Sequence, residues 1–290
     1  MGEDAVFHEE RRAAPGGIRL HQMLTRIWRQ SAPVLGVITA LCIVWEGSKF
    51  LFGISDQRLP HLLDIFAVFG SRSQGGQGPL LLIQMLINAW ATFRVAFGGF
   101  VLGGLLGFAL ALLFTQIRIL ERGLMPYVIG SQTVPILAIA PMVVVGLGRI
   151  GAPDWAAKMV VAAYLTFFPV TIGMLRGLRA AAPSALDLMH SYAATPLQIF
   201  VKLRFPASLP YLFTSLKIAA TASVIGAIVA ELPAAANEGI GVAILNASQF
   251  YNSRPPALYA TVLVAGLIGV AFYGLVALAE RLVVRERRAE

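Results

Sequence analysis

Charged side chains inside apolar stretches are the residues of this sequence with the clearest potential for chemistry. Glu46 and Lys49 lie in one such stretch, and Lys217 and Glu231 lie in another. Ionisable groups within a membrane span are costly and often mark ion or substrate pathways. Because Glu46 and Lys49 are three residues apart on one helix face, we expect them to pair with each other. Lys217 is expected to reach the aqueous surface, whereas Glu231 ends a charge-free run and is equally open to a functional or a structural role.

Recognisable catalytic and metal-binding motifs are absent from the sequence. It holds no G-x-x-x-x-G-K-[ST] phosphate loop, and its four histidines are scattered without an H-E-x-x-H pattern. The single cysteine, Cys42, lies in an apolar run and allows neither a disulfide framework nor a thiolate metal site. The sequence therefore predicts no catalytic residue, no metal site and no cofactor bound by this chain, and the protein is not expected to be an enzyme.

The composition is that of an all-α protein that crosses a membrane several times. Of the 290 residues 57% are hydrophobic and only 13% are charged, whereas about a quarter of an average soluble domain is charged. The net charge of +8 is spread between apolar runs instead of forming one basic patch. It therefore favours basic loops held on the cytoplasmic side over nucleic-acid binding.

Six apolar runs are long enough to span a bilayer, which needs about 20 residues per helix. They lie at approximately 33–54, 95–117, 123–148, 157–177, 209–232 and 257–280, within a transmembrane domain at 31–282. Most of the 23 Lys and Arg residues sort to one side if both termini are cytoplasmic, so we expect an N-in, C-in topology with cytoplasmic tails at 1–30 and 283–290. Residues 55–94 are expected to form amphipathic helices at the surface or leading into the second span.

Two spans carry features that affect helix packing. Gly99, Gly103 and Gly107 recur every four residues in the second span and form a smooth stripe for close helix contact, within the chain or between protomers. Pro135 and Pro141 could break the third span, which keeps an ion-coupled secondary transporter as an alternative function.

The cytoplasmic segment at 180–208, between the fourth and fifth spans, is predicted to form two short helices joined by a turn. Pro183 begins the first helix, Thr195 caps the second with Pro196 at its first position, and Pro206 ends it. A short helix with an apolar face suits docking into a groove on another protein and equally suits resting on the lipid surface.

The stretch "SYAATPLQIFVKLRFPASLPYLFTSLKIA" resembles the coupling loop and following span of ABC importer permeases, the membrane component of binding-protein-dependent transport systems. "AELPAAANEGIGVAILNASQFY", "QTVPILAIAPMVVVGLG" and "VWEG" extend the resemblance to the branch for sulfonates, taurine, nitrate, thiamine precursors and riboflavin. In the family's loop pattern Asp187 takes the first position, Ala193 the glycine position, Leu203 the isoleucine position and Pro206 the final proline. An alanine fits the glycine position if its φ is negative.

The resemblance implies the partners of this chain and the residues that meet them. It implies a homodimer in the bacterial plasma (inner) membrane, two copies of a cytoplasmic ATPase that carry ATP and Mg, and an external substrate-binding protein. The implied ATPase-coupling residues are Asp187, Tyr192, Ala193, Leu197, Phe200, Leu203 and Pro206.

The solute is less well defined than the family. Sulfonate-like or nitrate-like anions and vitamin precursors such as a pyrimidine or riboflavin all occur in the branch, and the "AELP" and "SQFY" details favour the vitamin precursors. Polar positions in or beside apolar runs are candidates for solute contacts or, equally, for interhelical hydrogen bonds. They are Gln132, Thr133, Tyr164, Thr221, Ser223 and Glu231. A membrane-anchored interaction protein without transport activity is a third possibility.

Overall fold

The computed structural model describes residues 15–73, 78–232 and 238–284, with side chains from residue 32 onward. Of the predicted tails, residues 1–14 and 285–290 lie outside the described residues. The helices are α1 (Pro15–Phe52), α2 (Leu62–Ala67), α3 (Leu81–Gln116), α4 (Arg118–Ser131), α5 (Ile136–Arg149), α6 (Asp154–Leu178), α7 (Pro183–Ser191), α8 (Pro196–Ile199), α9 (Phe205–Glu231), α10 (Ile240–Gln249) and α11 (Pro255–Val283). A 3₁₀ turn follows α2, a π-helical turn (Phe200–Arg204) joins α8 to α9, and an isolated antiparallel bridge joins Arg72 to Leu80.

The chain divides into two units, of which the first ends at Leu62. In this unit the expected pair of Glu46 and Lys49 is wrong. The Glu46 carboxylate accepts the Leu62 N–H at 2.8 Å and lies 2.9 Å from His61 Nδ1. Lys49 Nζ is 2.6 Å from Asp56 Oδ1, and this close positive charge holds the pKa of Asp56 below its usual value. The chain folds back after α1, so each charge finds a partner beyond the helix.

The second unit is built on close contact of α3, α6 and α9. On the stripe of α3, a Cβ added at Gly99 would lie 2.3 Å from Ala162 Cβ, and one added at Gly103 would lie 2.4 Å from the Ala163 carbonyl oxygen. Gly107 meets the carbonyl of Phe167 in the same way. The small-residue stripe predicted from the sequence therefore faces α6 of the same chain.

The third predicted span is not one straight helix. α4 and α5 meet at an angle of 98° across a break at residues 132–135. Pro135 is the N-cap of α5 with ψ at 116°, and a residue that precedes proline is itself pushed out of the helical region. Pro141 lies within α5 without breaking it. The position of the break is therefore set by Pro135.

The second span is longer than its charge-free core. α3 begins at Leu81 and continues for 36 residues, so the amphipathic stretch before residue 95 leads into the span as part of the same helix. In the described ranges five helices are long and apolar enough to cross a membrane, or six if the bent α4–α5 pair counts as one. The N-in, C-in orientation stays a prediction.

The expectation that Pro206 ends the second short helix is wrong. α8, the π-helical turn and α9 follow each other without a gap, and the Phe205 N–H donates to the Phe200 carbonyl across the π turn. Pro206 is in the first turn of α9, where its missing N–H is tolerated. The segment after Thr195 and the fifth span therefore form one continuous helical rod from Pro196 to Glu231.

The two ends of α9 lie at opposite ends of the second unit. It has 27 residues and is about 40 Å long at about 1.5 Å per residue. Its start packs near Phe114, late in α3, and its last residue, Glu231, contacts Thr92, early in α3. We call these the coupling end and the α10 end. Between them Lys217, expected to reach the aqueous surface, instead lies 2.8 Å from Glu280 of α11 and is largely buried.

Gly103→Ala should lower the free energy of unfolding by about 1–3 kcal/mol, because the added methyl group meets backbone of α6 that cannot move aside. Gly104→Ala is the matched control: the neighbouring glycine has nothing within 4 Å of an added Cβ. Unfolding of the purified variants in mixed micelles gives both values. Equal stability of the two variants would contradict the close packing of α3 on α6.

Candidate functional site

The segment at 180–208, here called the coupling segment, contains two short helices that are each fixed by their first residues. α7 begins at Pro183. α8 begins with a capping box in which Thr195 Oγ1 accepts the Gln198 N–H at 3.3 Å and Gln198 Oε1 accepts the Thr195 N–H at 2.8 Å. Pro196 occupies the first helical position. The local sequence therefore determines where both helices start.

The turn between the two helices has a left-handed residue at Ala193. Its φ is +51°, so the condition under which an alanine would fit the glycine position without strain, a negative φ, is not met. The Ala193 N–H donates to the His190 carbonyl at 2.9 Å, and the Ala194 N–H donates to the Met189 carbonyl at 3.0 Å. These two bonds form a Schellman cap, which requires the residue after the cap to be left-handed and usually selects glycine there.

The coupling segment presents apolar side chains to its surroundings. Tyr192 is 78% exposed and Leu197 is 71% exposed. Leu188 and Val201 are also more than half exposed, although neither is among the coupling residues that the resemblance implies. The spacing signal was available, since Leu188 lies four residues before Tyr192 and Leu197 lies four before Val201.

The other predicted coupling residues divide between surface and core. Asp187 and Pro206 are exposed, and Leu203 is half-buried. Phe200 turns inward: it is half-buried, its ring centroid is 6.1 Å from that of Phe205, and it packs on a cluster that includes Phe114 and Met174. Phe200 therefore attaches the segment to the core instead of extending its exposed face.

A buried isoleucine and an ion pair also attach the segment to the core. Ile199 is 6% exposed. Arg179, just before the segment, donates from Nη1 and Nη2 to the two Glu121 oxygens at 2.7 and 2.6 Å, and these hydrogen bonds raise the pKa of Arg179. Such paired bonds fix the direction of both side chains. The coupling segment is thus held to α4, α6 and α9 as one piece.

The polar pathway candidates do not meet at one site. Thr133, Thr221 and Ser223 donate to carbonyls three residues back in their own chain segments. Tyr164 donates to the Ser131 carbonyl, which is an interhelical bond. Gln132 lines a groove of about 890 Å³ along α6 and α9, together with Arg176 and Tyr211. The remaining candidate, Glu231, lies at the α10 end.

Glu231 is held by the start of α10. Its side chain is 1% exposed, and its oxygens accept Thr92 Oγ1 at 2.8 and 3.0 Å and the Gly241 N–H at 2.7 Å. Thr92 Oγ1 in turn accepts the Ile240 N–H at 2.8 Å. A Cβ at Gly239 or Gly241 would lie within 3 Å of the Glu231 side chain. A carboxylate at a helix N-terminus satisfies amides that have no partner within the helix, so the geometry favours the structural role for Glu231.

Comparison with known proteins identifies the family. The family of binding-protein-dependent transport system inner membrane components matches residues 99–285. The chain belongs to this family. The resemblance read from the sequence is thereby confirmed, and the protein is a permease component of the ABC transporter type.

The relatives of this permease carry several transport functions. It is 31% identical to the formylaminopyrimidine transport permease protein ThiX of Halalkalibacterium halodurans, over 69% of this chain and 77% of that protein. It is 27% identical to the riboflavin transport system permease protein RibX of Chloroflexus aurantiacus, over 92% and 96%. It is 29% identical to the putative aliphatic sulfonates transport permease protein SsuC of Escherichia coli, over 71% and 74%.

The fold of this permease has counterparts among solved structures. An inward-facing structure of the MetNI methionine ABC transporter superposes with a TM-score of 0.62 at 15% identity, covering 71% of this chain and 98% of that chain. The crystal structure of an amino acid ABC transporter with histidines gives a TM-score of 0.57 at 18% identity, covering 70% of this chain and 95% of that chain. The all-helical permease fold is thus shared across distant sequences.

Ala193→Gly should stabilise the permease by about 0.5–1 kcal/mol. A left-handed alanine costs about 1–2 kcal/mol, which glycine avoids. Part of this stabilisation is lost because glycine has more conformational freedom in the unfolded chain. Thermal unfolding in detergent measures the difference. Ala194→Gly is the matched control and should destabilise, because Ala194 has no positive φ.

Glu231→Ala should lower the free energy of unfolding by about 2–4 kcal/mol, because it leaves the buried Gly241 N–H and Thr92 hydroxyl without their acceptor. Glu231→Gln keeps one acceptor oxygen and should cost less than half as much. Unfolding in mixed micelles compares the two. If both variants were as stable as the wild type, the carboxylate would not hold α10.

Proposed function

We propose that this chain is the permease subunit of an ATP-driven, binding-protein-dependent importer that moves a small polar organic solute inward. The observation that carries the proposal is the coupling segment, where Leu188, Tyr192, Leu197 and Val201 are exposed on helices that are fixed to the core. Apolar and aromatic side chains that are exposed yet held in place are typical anchors of protein–protein contacts. Membership of the family supplies the partner class, an ABC ATPase.

The continuous rod from Pro196 to Glu231 supports a mechanical role for the segment. A partner that grips the exposed faces of α7 and α8 would move α9 with them, since no flexible loop separates α8 from α9. In the proposed cycle, ATP and Mg are bound by the two ATPase copies, and nucleotide-driven closure of the ATPases moves the two coupling segments. The permease then changes between two packed arrangements without chemistry of its own.

The proposed assembly contains a second copy of this chain in the bacterial inner membrane and a solute-binding protein at the α10 end. The groove along α6 and α9 supports the second copy, because it is open and mostly apolar. Exposed Ile218 and Ile225 are among the residues that line it. By resemblance to its relatives, the solute is a sulfonate-like or nitrate-like anion or a vitamin precursor such as a pyrimidine or riboflavin. The ion-coupled carrier is not proposed, because membership of the permease family outweighs the break of the third span at Pro135, which is compatible with either function.

The test is co-purification of the permease with an ABC ATPase encoded beside it. Tyr192→Asp with Leu197→Asp should abolish co-purification while leaving the permease folded, because both side chains are exposed and contribute little to its core. Phe200 is avoided because its replacement would disturb the core cluster.

Trp155→Asp is the matched control, since Trp155 is 58% exposed at the start of α6, at the α10 end. It should co-purify like the wild type. Retention of the ATPase by the Tyr192→Asp, Leu197→Asp variant would exclude the segment as the docking site. An ATPase missing from the wild-type eluate would count against the importer itself.

A further inference from the structure

A crevice of about 940 Å³ opens at the α10 end of the second unit. Its walls are the first turns of α3, the length of α10, the start of α11 and the residues Arg72 and Ser73 before α3. It lies at the opposite end of α9 from the coupling segment. Its volume is within the range of sites for small organic molecules, about 300–1,000 Å³.

The polar lining of this crevice is positive and rich in hydrogen-bond donors. Arg72 and Arg254 contribute two positive charges, and no carboxylate is found among the described residues of the lining. Three carboxamides, those of Gln84, Asn88 and Asn246, complete the polar part. A concave site with one sign of charge and low-dielectric walls concentrates ions of the opposite sign.

Two of these groups are oriented by the backbone around them. Arg254 Nη1 donates to the Arg72 carbonyl at 3.3 Å, which ties the start of α11 to the wall of the crevice. Asn88 is 6% exposed, and its Oδ1 accepts the Gly239 N–H at 3.3 Å. Since the oxygen of Asn88 is engaged by a donor, its amide nitrogen is the group left to donate to a ligand.

The remaining lining is apolar. Leu81 and Met85 of α3 are buried, Val242 of α10 is half-buried, and Phe250 is 66% exposed at the rim. A ligand that fills this space therefore needs an apolar body beside a group that accepts hydrogen bonds and carries negative charge. A small inorganic anion such as nitrate would leave the apolar part empty.

We propose that this crevice binds a small amphiphilic anion, with an oxyanion head at Arg254 and Asn246 and an apolar body against Met85 and Phe250. The chemistry is that of an alkanesulfonate and also that of an anionic lipid headgroup with the start of its chain. It favours the sulfonate-like solutes over the neutral vitamin precursors that the "AELP" and "SQFY" details favour. Binding at the crevice does not depend on the proposed transport function, but any use of the site in import does.

The direct test is binding of 1-hexanesulfonate to the full-length chain in nanodiscs of pure phosphatidylcholine, measured by calorimetry and saturation-transfer NMR. The wild type should bind, and 1-hexanol, which lacks the charge, should bind at least tenfold more weakly. Arg254→Gln and Asn246→Leu should each weaken 1-hexanesulfonate binding at least tenfold, because each removes a donor to the oxyanion. Gln249→Leu is the matched control on the same helix, outside the crevice, and should bind like the wild type.

A second pair of variants tests the site without removing a polar group. Ala247→Phe places a ring in the crevice and should abolish binding, whereas Leu245→Phe on the same helix lies outside the lining and should not. A wild type that does not bind 1-hexanesulfonate would overturn the proposal. Equal binding by Arg254→Gln, Ala247→Phe and the wild type would overturn it as well.

Adding phosphatidylglycerol to the nanodisc distinguishes a free alkanesulfonate from an anionic lipid headgroup as the natural ligand. Displacement of 1-hexanesulfonate from the wild type by this lipid assigns the crevice to a lipid headgroup, and persistence of binding assigns it to a free solute. Co-purification with the ATPase is measured on the same samples. A wild type that co-purifies with the ATPase but does not bind 1-hexanesulfonate counts against the crevice alone. A wild type that binds 1-hexanesulfonate but does not co-purify with the ATPase counts against the importer alone.

Discussion

Close backbone contact among α3, α6 and α9 is the constraint on which the rest of the second unit depends. In a lipid environment, helices gain little from burying apolar side chains, so association relies on close packing. Glycines on α3 meet carbonyls and small side chains of α6, and Gly226 of α9 would place a Cβ 2.7 Å from Ala162 Cα. Because these three helices are locked together, the coupling segment at one end and α10 at the other have fixed positions.

Both ends of this core are completed by hydrogen bonds to helix termini. At the coupling end, the Thr195 capping box and the Schellman cap at Ala193 set the two short helices. At the α10 end, Glu231 and Thr92 take up the first amides of α10. In each case a few polar groups satisfy backbone donors or acceptors that would otherwise lie free at a helix terminus. The same end that Glu231 fixes also forms a wall of the positively lined crevice.

Local signals in the sequence were sufficient for much of the coupling segment. Pro183, Thr195 and Pro196 mark the helix starts where the structure has them, because capping depends on neighbours within four residues. The outcome at Pro206 differs because proline is compatible with both a helix end and a first helical turn. Only the continuous packing of α9 on the core decides between them. The inward turn of Phe200 has the same origin, since its partners include Phe114, far away in the chain.

The charged residues show the limit of sequence reasoning more sharply. Spacing along one helix suggested a pair of Glu46 and Lys49, yet the partners of both residues lie after the helix. Lys217 contacts Glu280, which is 63 residues away. The partners of Glu231 likewise come from two separate stretches of the chain, at Thr92 and at Gly241. Such contacts depend on which helices are adjacent, and residue types alone do not supply that information.

The π-helical turn at Phe200–Arg204 gives the coupling segment its rotational phase. A π turn holds one residue more than the α-helical turn it replaces, and one residue corresponds to about 100° of rotation around a helix of 3.6 residues per turn. With a plain α-helical connection, α8 would be rotated by that angle relative to α9. Leu197 and Val201 would then point in a different direction while Ile199 left the core. The extra residue therefore fixes the angle of rotation between the exposed surface of α8, which a partner would contact, and the span formed by α9.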